Sequence, residues 1–176
     1  MNKILKLTLI LFLVCAIVAG ILGVINDITE ERIALQNEQK TAKAYNAVLP
    51  ADSYDTIEFN PHDYPTIDAV AKASDGSGYV VQTTFSGAQG SITMVVGVNP
   101  DYTCSGISII SHSETSGLGA VAASSSEKGI SFRNSFIGKG EELRVADIDA
   151  ITGATITTKA VTYAVKDVIA TVKELG

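Results

Sequence analysis

The sequence predicts an α+β fold, in which an N-terminal transmembrane helix is followed by one domain with an antiparallel sheet flanked by helices. Residues 7–25 form an apolar run without a charge, as in a membrane-spanning helix. Residues 69–111 contain β-rich runs separated by turn residues, as in an antiparallel meander. Residues 158–175 carry apolar side chains at helical spacing. A chain of 176 residues has room for this anchor and for one domain of about 100–150 residues.

Residues 1–26 are predicted to be an uncleaved, single-pass membrane anchor. The 19 residues of the apolar run extend about 28 Å as a helix, close to the thickness of the hydrocarbon core of a bilayer. The run is longer than the roughly 7–15 apolar residues of a signal peptide, and no Ala-x-Ala cleavage site follows it. Lys3 and Lys6 precede the run, whereas acidic residues follow it. This asymmetry predicts a cytoplasmic N-terminus and an extracytoplasmic C-terminal domain in a prokaryotic cell membrane.

Residues 27–50 are predicted to form a stalk helix that continues the anchor and is stopped by Pro50. Asp27 or Thr29 is the candidate cap at its start. An apolar residue recurs every seven positions along the stalk, at Ile28, Leu35, Ala42 and Leu49. This narrow stripe favours packing of the helix on its own domain, and packing on a neighbouring protein is the alternative.

Residues 51–176 are predicted to form the extracytoplasmic domain. It begins with an irregular connection, because three prolines interrupt residues 50–66. Four strands follow, at residues 69–73, 79–85, 91–98 and 103–111. In the third strand Ile92, Met94 and Val96 alternate with the residues of the other face, which predicts one strongly buried face.

The segment after the sheet is predicted to contain short elements and one long helix. One or two helical turns are expected at residues 120–125, a short helix at 130–136 and a short strand at 143–145. The long helix covers residues 158–175, where apolar residues recur at helical spacing and lysines occupy other positions.

The part of the chain beyond the apolar run is acidic. Setting aside the two lysines before the run leaves 11 Lys and Arg against 19 Asp and Glu, a net charge of −8. This charge disfavours nucleic acid, which is bound mainly through basic contacts to phosphates. It also disfavours adsorption to an anionic membrane surface.

The cysteines and histidines limit the metal and redox chemistry of the chain. Cys15 lies in the apolar run and Cys104 in the domain, so no disulfide is expected within the domain. Cys104 is predicted to be a small core residue. Two histidines and no cysteine pair disfavour zinc and iron–sulfur sites, and no metal ligand or catalytic residue is predicted. An electron-carrying role therefore requires an organic cofactor.

The segment Asp149-Ala-Ile-Thr-Gly-Ala-Thr155 stands just before the final predicted helix. It presents a threonine on a Gly-Ala turn, six residues after a carboxylate. The start of a helix has unpaired backbone N–H groups and a partial positive charge, so a phosphate attached at Thr155 would be stabilised there. A plain turn followed by a helix cap is the alternative interpretation. Thr157 and Thr158 are expected to be capping residues.

This segment resembles the flavinylation motif of the FMN-binding domain shared by the C subunit of the sodium-pumping NADH:quinone reductase and the G subunit of the Rnf complex. A second segment, His112-Ser-Glu-Thr-Ser-Gly-Leu-Gly119, is similar to the family's Glu-Thr-Pro-Gly-Leu-Gly loop beside the flavin, with Ser116 in place of the proline. A third, weaker match is Phe132-Arg-Asn-Ser-Phe-Ile-Gly-Lys139. With the N-terminal membrane segment, the resemblance covers nearly the whole chain, and the short length favours the Rnf subunit.

The resemblance implies a flavoprotein in which FMN is attached covalently to Thr155 by a phosphoester bond, placed there by a separate flavin transferase. It implies a subunit of the ion-translocating Rnf complex, which couples electron flow between ferredoxin and NAD⁺ to Na⁺ or H⁺ transport. The expected partners are the other membrane subunits and the iron–sulfur subunits of that complex. The subunit would relay electrons without bond-making catalysis, and a single anchor helix does not form an ion path alone.

The two motifs supply the candidate cofactor-binding residues, which are Thr152, Gly153, Ala154 and Thr155 from the first and Glu114, Thr115, Gly117, Leu118 and Gly119 from the second. Gly153 permits a backbone conformation closed to other residues, and Ala154 leaves the neighbouring hydroxyl accessible. The second loop is expected to contact the isoalloxazine ring or the phosphate, with Leu118 over a face of the ring. A polar turn without a ligand is the alternative for this loop.

Four further residues have two interpretations each. Asp149 either helps attachment, by orienting its loop or by helping the transferase to hold Mg²⁺, or it is a structural cap. His112 is either a proton donor to reduced flavin or a surface residue. Arg133 and Lys139 either meet the phosphate or are solvated.

Three other functions are compatible with these features. The chain is alternatively the equivalent subunit of a Na⁺-translocating NADH:quinone reductase, or a free-standing extracytoplasmic flavoprotein. A function of a different class is a non-redox anchored binding module, in which the Thr-Gly-Ala-Thr turn is only structural. Flavin fluorescence after denaturation separates these classes, because a covalently attached flavin survives denaturation.

Overall fold

A computed structural model describes residues 3–175, apart from the side chains of Glu31 and Ala34. The chain forms two compact units that divide between Gln39 and Lys40. Helix α1, Lys3–Val48, begins in the first unit and ends in the second. The predicted anchor and the predicted stalk therefore form one uninterrupted helix.

The first unit consists of α1 up to Gln39. Among the described residues this helix is the one element long and apolar enough to cross a membrane. Its large apolar side chains from Ile4 to Ile25 are exposed. An apolar helix that is not covered by protein is suited to lipid.

Of the apolar stripe predicted for the stalk, the last residue alone is buried on the domain, and packing of the other three on a neighbouring protein stays a prediction. Ile28 and Leu35 are exposed, whereas Ala44, Val48 and Leu49 are buried against the sheet. The buried pair on α1 is spaced by four residues, as the helical period requires for one short contact face. A seven-residue repeat therefore did not identify the side of the helix that packs on the sheet.

The second unit is built on a five-stranded antiparallel sheet whose strands lie side by side in chain order. Its strands are β1 Tyr54–Ile57, β2 Ile67–Ala73, β3 Tyr79–Ser86, β4 Ser91–Val98 and β5 Cys104–His112. The four predicted strands are present with ends shifted by at most two residues. The sequence prediction missed β1, which pairs with β2 from Tyr54 opposite Ala73 to Ile57 opposite Val70. Its four residues are too few to show an alternating pattern in a proline-rich segment.

The sheet is covered on both faces, which corrects the prediction of one strongly buried face. Met94 and Val96 of β4 pack in the larger core cluster with the C-terminal helix. Val95, between them, packs in a second cluster with Ala44 and Val48 of α1. The hydroxyl of Ser105 also donates a hydrogen bond to the carbonyl of Val48 at 2.6 Å, which fixes the end of α1 on the sheet.

Four helical elements follow the sheet: a 3₁₀ helix at Gly119–Ala123, α2 at Glu127–Asn134, a 3₁₀ turn at Val145–Asp147 and α3 at Thr155–Leu175. Helix α2 starts earlier than predicted because Ser126 caps it, accepting a hydrogen bond from the amide of Gly129 at 3.2 Å.

The predicted strand at residues 143–145 is wrong. Leu143 is buried in the core, but the chain there turns, with the amide of Arg144 donating to the carboxylate of Asp147 at 3.0 Å.

Cys104 is a core residue, as predicted. It is fully buried, and burial raises the pKa of its thiol to about 12. The reactive thiolate is therefore scarce near neutral pH.

We expect Cys104 to resist alkylation in the folded protein. In a Cys15→Ser variant held in detergent at pH 8, iodoacetamide should leave the thiol unmodified until denaturant is added, when one label per chain should appear in the mass spectrum. Labelling of the folded protein at the rate of an open thiol would contradict the buried position.

Candidate functional site

A cleft of about 360 Å³ lies at one end of the sheet. The turn between β3 and β4, the loop after β5 and the start of α3 meet there. Ser86 is paired with Ser91 and Ile92 with His112, so the turn and the loop leave the same end of the sheet. The cleft is lined by Ala88 and Gln89 of the turn, by Glu114, Thr115, Leu118 and Gly119 of the loop, and by Gly153, Ala154, Thr155, Ile156 and Thr157.

Two glycines shape the loops that border the cleft. Gly117 has φ +78° and Gly153 has φ +79°, in the left-handed region that favours glycine. A Cβ added to Gly153 would lie 3.0 Å from Cδ2 of Leu118. Gly153 therefore allows the loop after β5 and the loop before α3 to approach each other.

The Glu114 carboxylate connects all three segments of the cleft. One oxygen, Oε1, accepts hydrogen bonds from the backbone N–H groups of Ala88 at 2.7 Å and Gln89 at 3.3 Å. The other, Oε2, accepts a hydrogen bond from the hydroxyl of Thr157 at 2.7 Å. Glu114 is only 9% exposed and Thr157 is fully buried, so the bond between these two side chains is shielded from water and correspondingly strong.

The start of α3 offers unpaired backbone donors to the cleft. The first backbone amide of α3 that donates to a carbonyl four residues earlier is that of Thr158. Its acceptor is the carbonyl of Ala154, at 2.9 Å. Within residues 3–175, the amides of Thr155, Ile156 and Thr157 donate no hydrogen bond. Ala154 has no side chain able to cap them, and the first turn has no acidic residue. The positive end of the helix dipole therefore lies at the cleft.

Comparisons with known proteins identify the family. The FMN-binding domain family matches residues 87–170, which include every residue of the cleft, and the RnfG N-terminal region matches residues 1–48. The G subunit of the Na(+)-translocating ferredoxin:NAD(+) oxidoreductase complex of Acetobacterium woodii is 33% identical, over 91% of this chain and 87% of that protein. The G subunit of the proton-translocating ferredoxin:NAD(+) oxidoreductase complex of Clostridium ljungdahlii is 32% identical, over 96% and 91%. The chain belongs to the Rnf G-subunit family.

A further relative shows the same likeness. The G subunit of the ion-translocating oxidoreductase complex of Methanosarcina acetivorans is 28% identical, over 96% of this chain and 94% of that protein. The resemblance inferred from the two motifs is thereby confirmed, and so is the predicted α+β class. The FMN-binding match makes the chain a flavoprotein subunit of the Rnf type.

The structure brings most of the predicted cofactor-binding residues together. From the two motifs, Glu114, Thr115, Leu118, Gly119, Gly153, Ala154 and Thr155 line the cleft. Gly117 lies in the same turn as Leu118 but does not line the cleft. Thr152 instead lines a separate groove of about 190 Å³ with Asp149 and Ser131, although only two residues separate it from Thr155.

The residues with two interpretations lie outside the cleft. Asp149 accepts a hydrogen bond from the hydroxyl of Ser131 at 3.0 Å. His112 is half-buried, and its Nδ1 accepts a hydrogen bond from the amide of Glu114 at 3.3 Å.

The two basic residues have structural contacts. Arg133 donates hydrogen bonds to the carbonyls of Ala122 at 2.6 Å and Ser124 at 2.9 Å, so it supports the 3₁₀ helix. Burial lowers the pKa of Arg133. Lys139 contributes a backbone carbonyl that accepts from the amide of Cys104 at 2.8 Å.

Sequence reasoning missed four residues that line the cleft. Ala88, Gln89 and Ile156 carry no chemistry that a motif reveals, and only their place in the fold brings them to the cleft. Thr157 was expected to cap α3, but its hydroxyl donates to Glu114 instead. Thr158 does act near the helix start, since its hydroxyl oxygen accepts from the amide of Ile151 at 3.3 Å.

We expect Gly119→Ala to destabilise the domain by about 1–3 kcal/mol, the usual cost of overpacking. The added Cβ would overlap Oε2 of Glu114 and lie 2.7 Å from the hydroxyl of Thr157. The free energy of unfolding in urea measures the effect.

Gly140→Ala is the matched control, because its Cβ would meet only one backbone oxygen, at 3.9 Å. It should change the free energy of unfolding by less than about 0.5 kcal/mol. Equal stabilities of the two variants would contradict the tight packing around Glu114.

Proposed function

We propose that FMN is joined to Thr155 by a phosphoester bond, that its ring occupies the cleft, and that the chain relays electrons through it within an ion-translocating ferredoxin:NAD⁺ oxidoreductase complex. The FMN-binding domain match supports the cofactor, and the relatives from Clostridium ljungdahlii and Acetobacterium woodii support the complex. The covalent bond, its position and the membrane arrangement are proposed on the grounds that follow.

The position of Thr155 carries the proposal. Of the four threonines around the start of α3, Thr157 and Thr158 are buried and Thr152 lines a different groove. Thr155 is exposed and lines the cleft, and its hydroxyl makes no hydrogen bond within the described part of the chain. It is therefore the hydroxyl that is accessible for esterification and also beside the cleft.

The start of α3 fits the phosphate of such a group. A phosphodiester keeps one negative charge, and the N-terminus of a helix stabilises a charge of this sign by about 0.3–1 kcal/mol at an exposed site. Three backbone donors near Thr155 have no partner within residues 3–175, and Ala154 adds no competing acceptor. A cap such as Ser or Asp at this position would occupy these donors.

The cleft also fits the ring. Its volume of about 360 Å³ falls in the range of ligand sites. Leu118 and Ile156, 44% and 64% exposed, line the cleft with apolar side chains, against which a planar ring would pack. FMN, when bound, accepts and donates one or two electrons. The surrounding residues hold the ring and leave part of it accessible, and no side chain is needed to make or break a bond.

The rest of the chain sets the location of the carrier. The apolar part of α1 is the proposed membrane anchor, and the lysines before it favour a cytoplasmic N-terminus, which puts the FMN-binding domain on the outer side. We propose that a separate flavin transferase attaches the FMN. Other membrane and iron–sulfur subunits would supply the ion path and exchange the electrons. The match of residues 1–48 to the RnfG N-terminal region favours this complex over the quinone reductase.

We expect Thr155→Ala to abolish covalent FMN. The full chain, expressed with the transferase and the partner subunits, should gain the mass of one FMN less one water, because a phosphoester forms with net loss of water, and the variant should keep its unmodified mass. Removal of one exposed hydroxyl should change stability by less than about 0.5 kcal/mol.

Thr152→Ala is the control for that measurement, because Thr152 is also exposed in the same motif. It should retain the attached FMN. Covalent FMN on the Thr155→Ala protein would overturn the assignment of the attachment site.

We expect Gly153→Ala to reduce FMN attachment more than Gly117→Ala does. Both substitutions introduce a side chain at positive φ and so carry a similar strain of about 1–2 kcal/mol. Only at Gly153 does the new Cβ press on Leu118, since Gly117 has open space around it. The FMN-to-protein ratio of the two purified variants measures the difference, and equal ratios would refute the role of the close approach at Gly153.

A further inference from the structure

We propose that Glu114 is a positioning residue, which holds the β3–β4 turn against the first turn of α3 and thereby sets the width of the cleft. This bridge joins two segments of the protein itself, through hydrogen bonds that involve no ligand. Its consequence for the flavin rests on the proposed function, because FMN must lie in this cleft to be affected. The role differs from the direct contact with ring or phosphate that the sequence resemblance implies for Glu114.

Both oxygens of the Glu114 carboxylate are already used by the protein. Oε1 receives two backbone N–H groups of the turn, and Oε2 receives the hydroxyl of Thr157. An ionised carboxylate only accepts hydrogen bonds, and all three neighbours are donors. Glu114 therefore acts through the segments that it joins.

Two glycines leave space for the oxygens of the Glu114 carboxylate. A Cβ on Gly87 would overlap Oε1, and a Cβ on Gly119 would overlap Oε2. Glycine at these two positions, one on each side, gives the carboxylate room to reach both partners. A side chain at either place would force Glu114 out of its present position.

The tip of the β3–β4 turn is held by hydrogen bonds to Glu114. The turn closes through one backbone bond, from the amide of Gly87 to the carbonyl of Gly90 at 2.7 Å. In the described part of the chain, the amides of Ala88 and Gln89 both donate to Glu114. Without the carboxylate, the tip would lose its connection to the rest of the cleft.

The opposite end of the bridge lies next to the proposed attachment residue. Thr157 is in the first turn of α3, two residues after Thr155. A chain of hydrogen bonds thus runs from this turn through Glu114 to Ala88 of the β3–β4 turn, which also lines the cleft. The bridge fixes the distance between the residue that would carry the flavin and the wall that its ring would face.

The first experiment uses the full chain in detergent without FMN and measures amide hydrogen exchange of the segment 86–90. Glu114→Ala and Thr157→Val should each accelerate exchange there, by about tenfold for loss of a buried charge-assisted bond. Thr157→Ser keeps the donor and should restore slow exchange. If Glu114→Ala does not fold, Thr157→Val still tests the bridge, because valine preserves the volume of threonine.

Thr162→Val is the matched control. Thr162 is also fully buried on α3, and its hydroxyl donates to the carbonyl of Thr158 at 2.8 Å, away from the cleft. It should leave exchange in the segment 86–90 unchanged. Unchanged exchange in Thr157→Val, or equal acceleration in Thr162→Val, would overturn the positioning role.

The second experiment uses the same variants loaded with FMN and measures the visible circular dichroism of the flavin. Thr157→Val should alter the spectrum, and Thr157→Ser and Thr162→Val should not. A wild-type chain that never acquires FMN would refute the proposed function but leave the exchange result valid. A loaded chain with identical spectra in all variants would overturn the effect of Glu114 on the cleft.

Discussion

The packing of α3 on the sheet is the interaction on which the rest of the second unit depends. Val161, Val165 and Val168 are fully buried in the same cluster as Met94 and Val96 of β4. Full burial of each such side chain contributes about 1.5–3 kcal/mol, so the axis of the helix is strongly determined. Its first turn then lies at the end of the sheet where the β3–β4 turn and the loop after β5 also emerge. The cleft follows from this arrangement.

The same packing allows the start of α3 to remain uncapped. Replacing a good capping residue by alanine costs a helix about 1 kcal/mol, and Ala154 occupies the position before the first turn. That cost is smaller than the contribution of one buried valine on the helix. The domain can therefore leave backbone donors open beside Thr155 and still fold, which is a condition for anion binding at this point.

The sequence was sufficient where a local pattern reflects a local cause. The position of β4 and the apolar face of α3 were predicted because strand and helix geometry set the spacing of their apolar residues. The motif around Thr155 likewise indicated the segment that borders the cleft. The prediction failed where a contact joins distant segments: Glu114 and Thr157 are 43 positions apart, and the cover of Val95 by α1 is equally non-local. The short β1 was missed for the same reason, since it owes its form to pairing with β2.

The burial of the Cys104 thiol protects it from oxidation in a domain that would carry a solvent-accessible flavin. Reduced flavins react with dioxygen to give hydrogen peroxide, and peroxide oxidises thiolates that it can reach. Cys104 is fully buried and its pKa is about 12, so it is neither reachable nor deprotonated. Cys104 thus fills a small space in the core and is not available for oxidation by peroxide formed at the flavin.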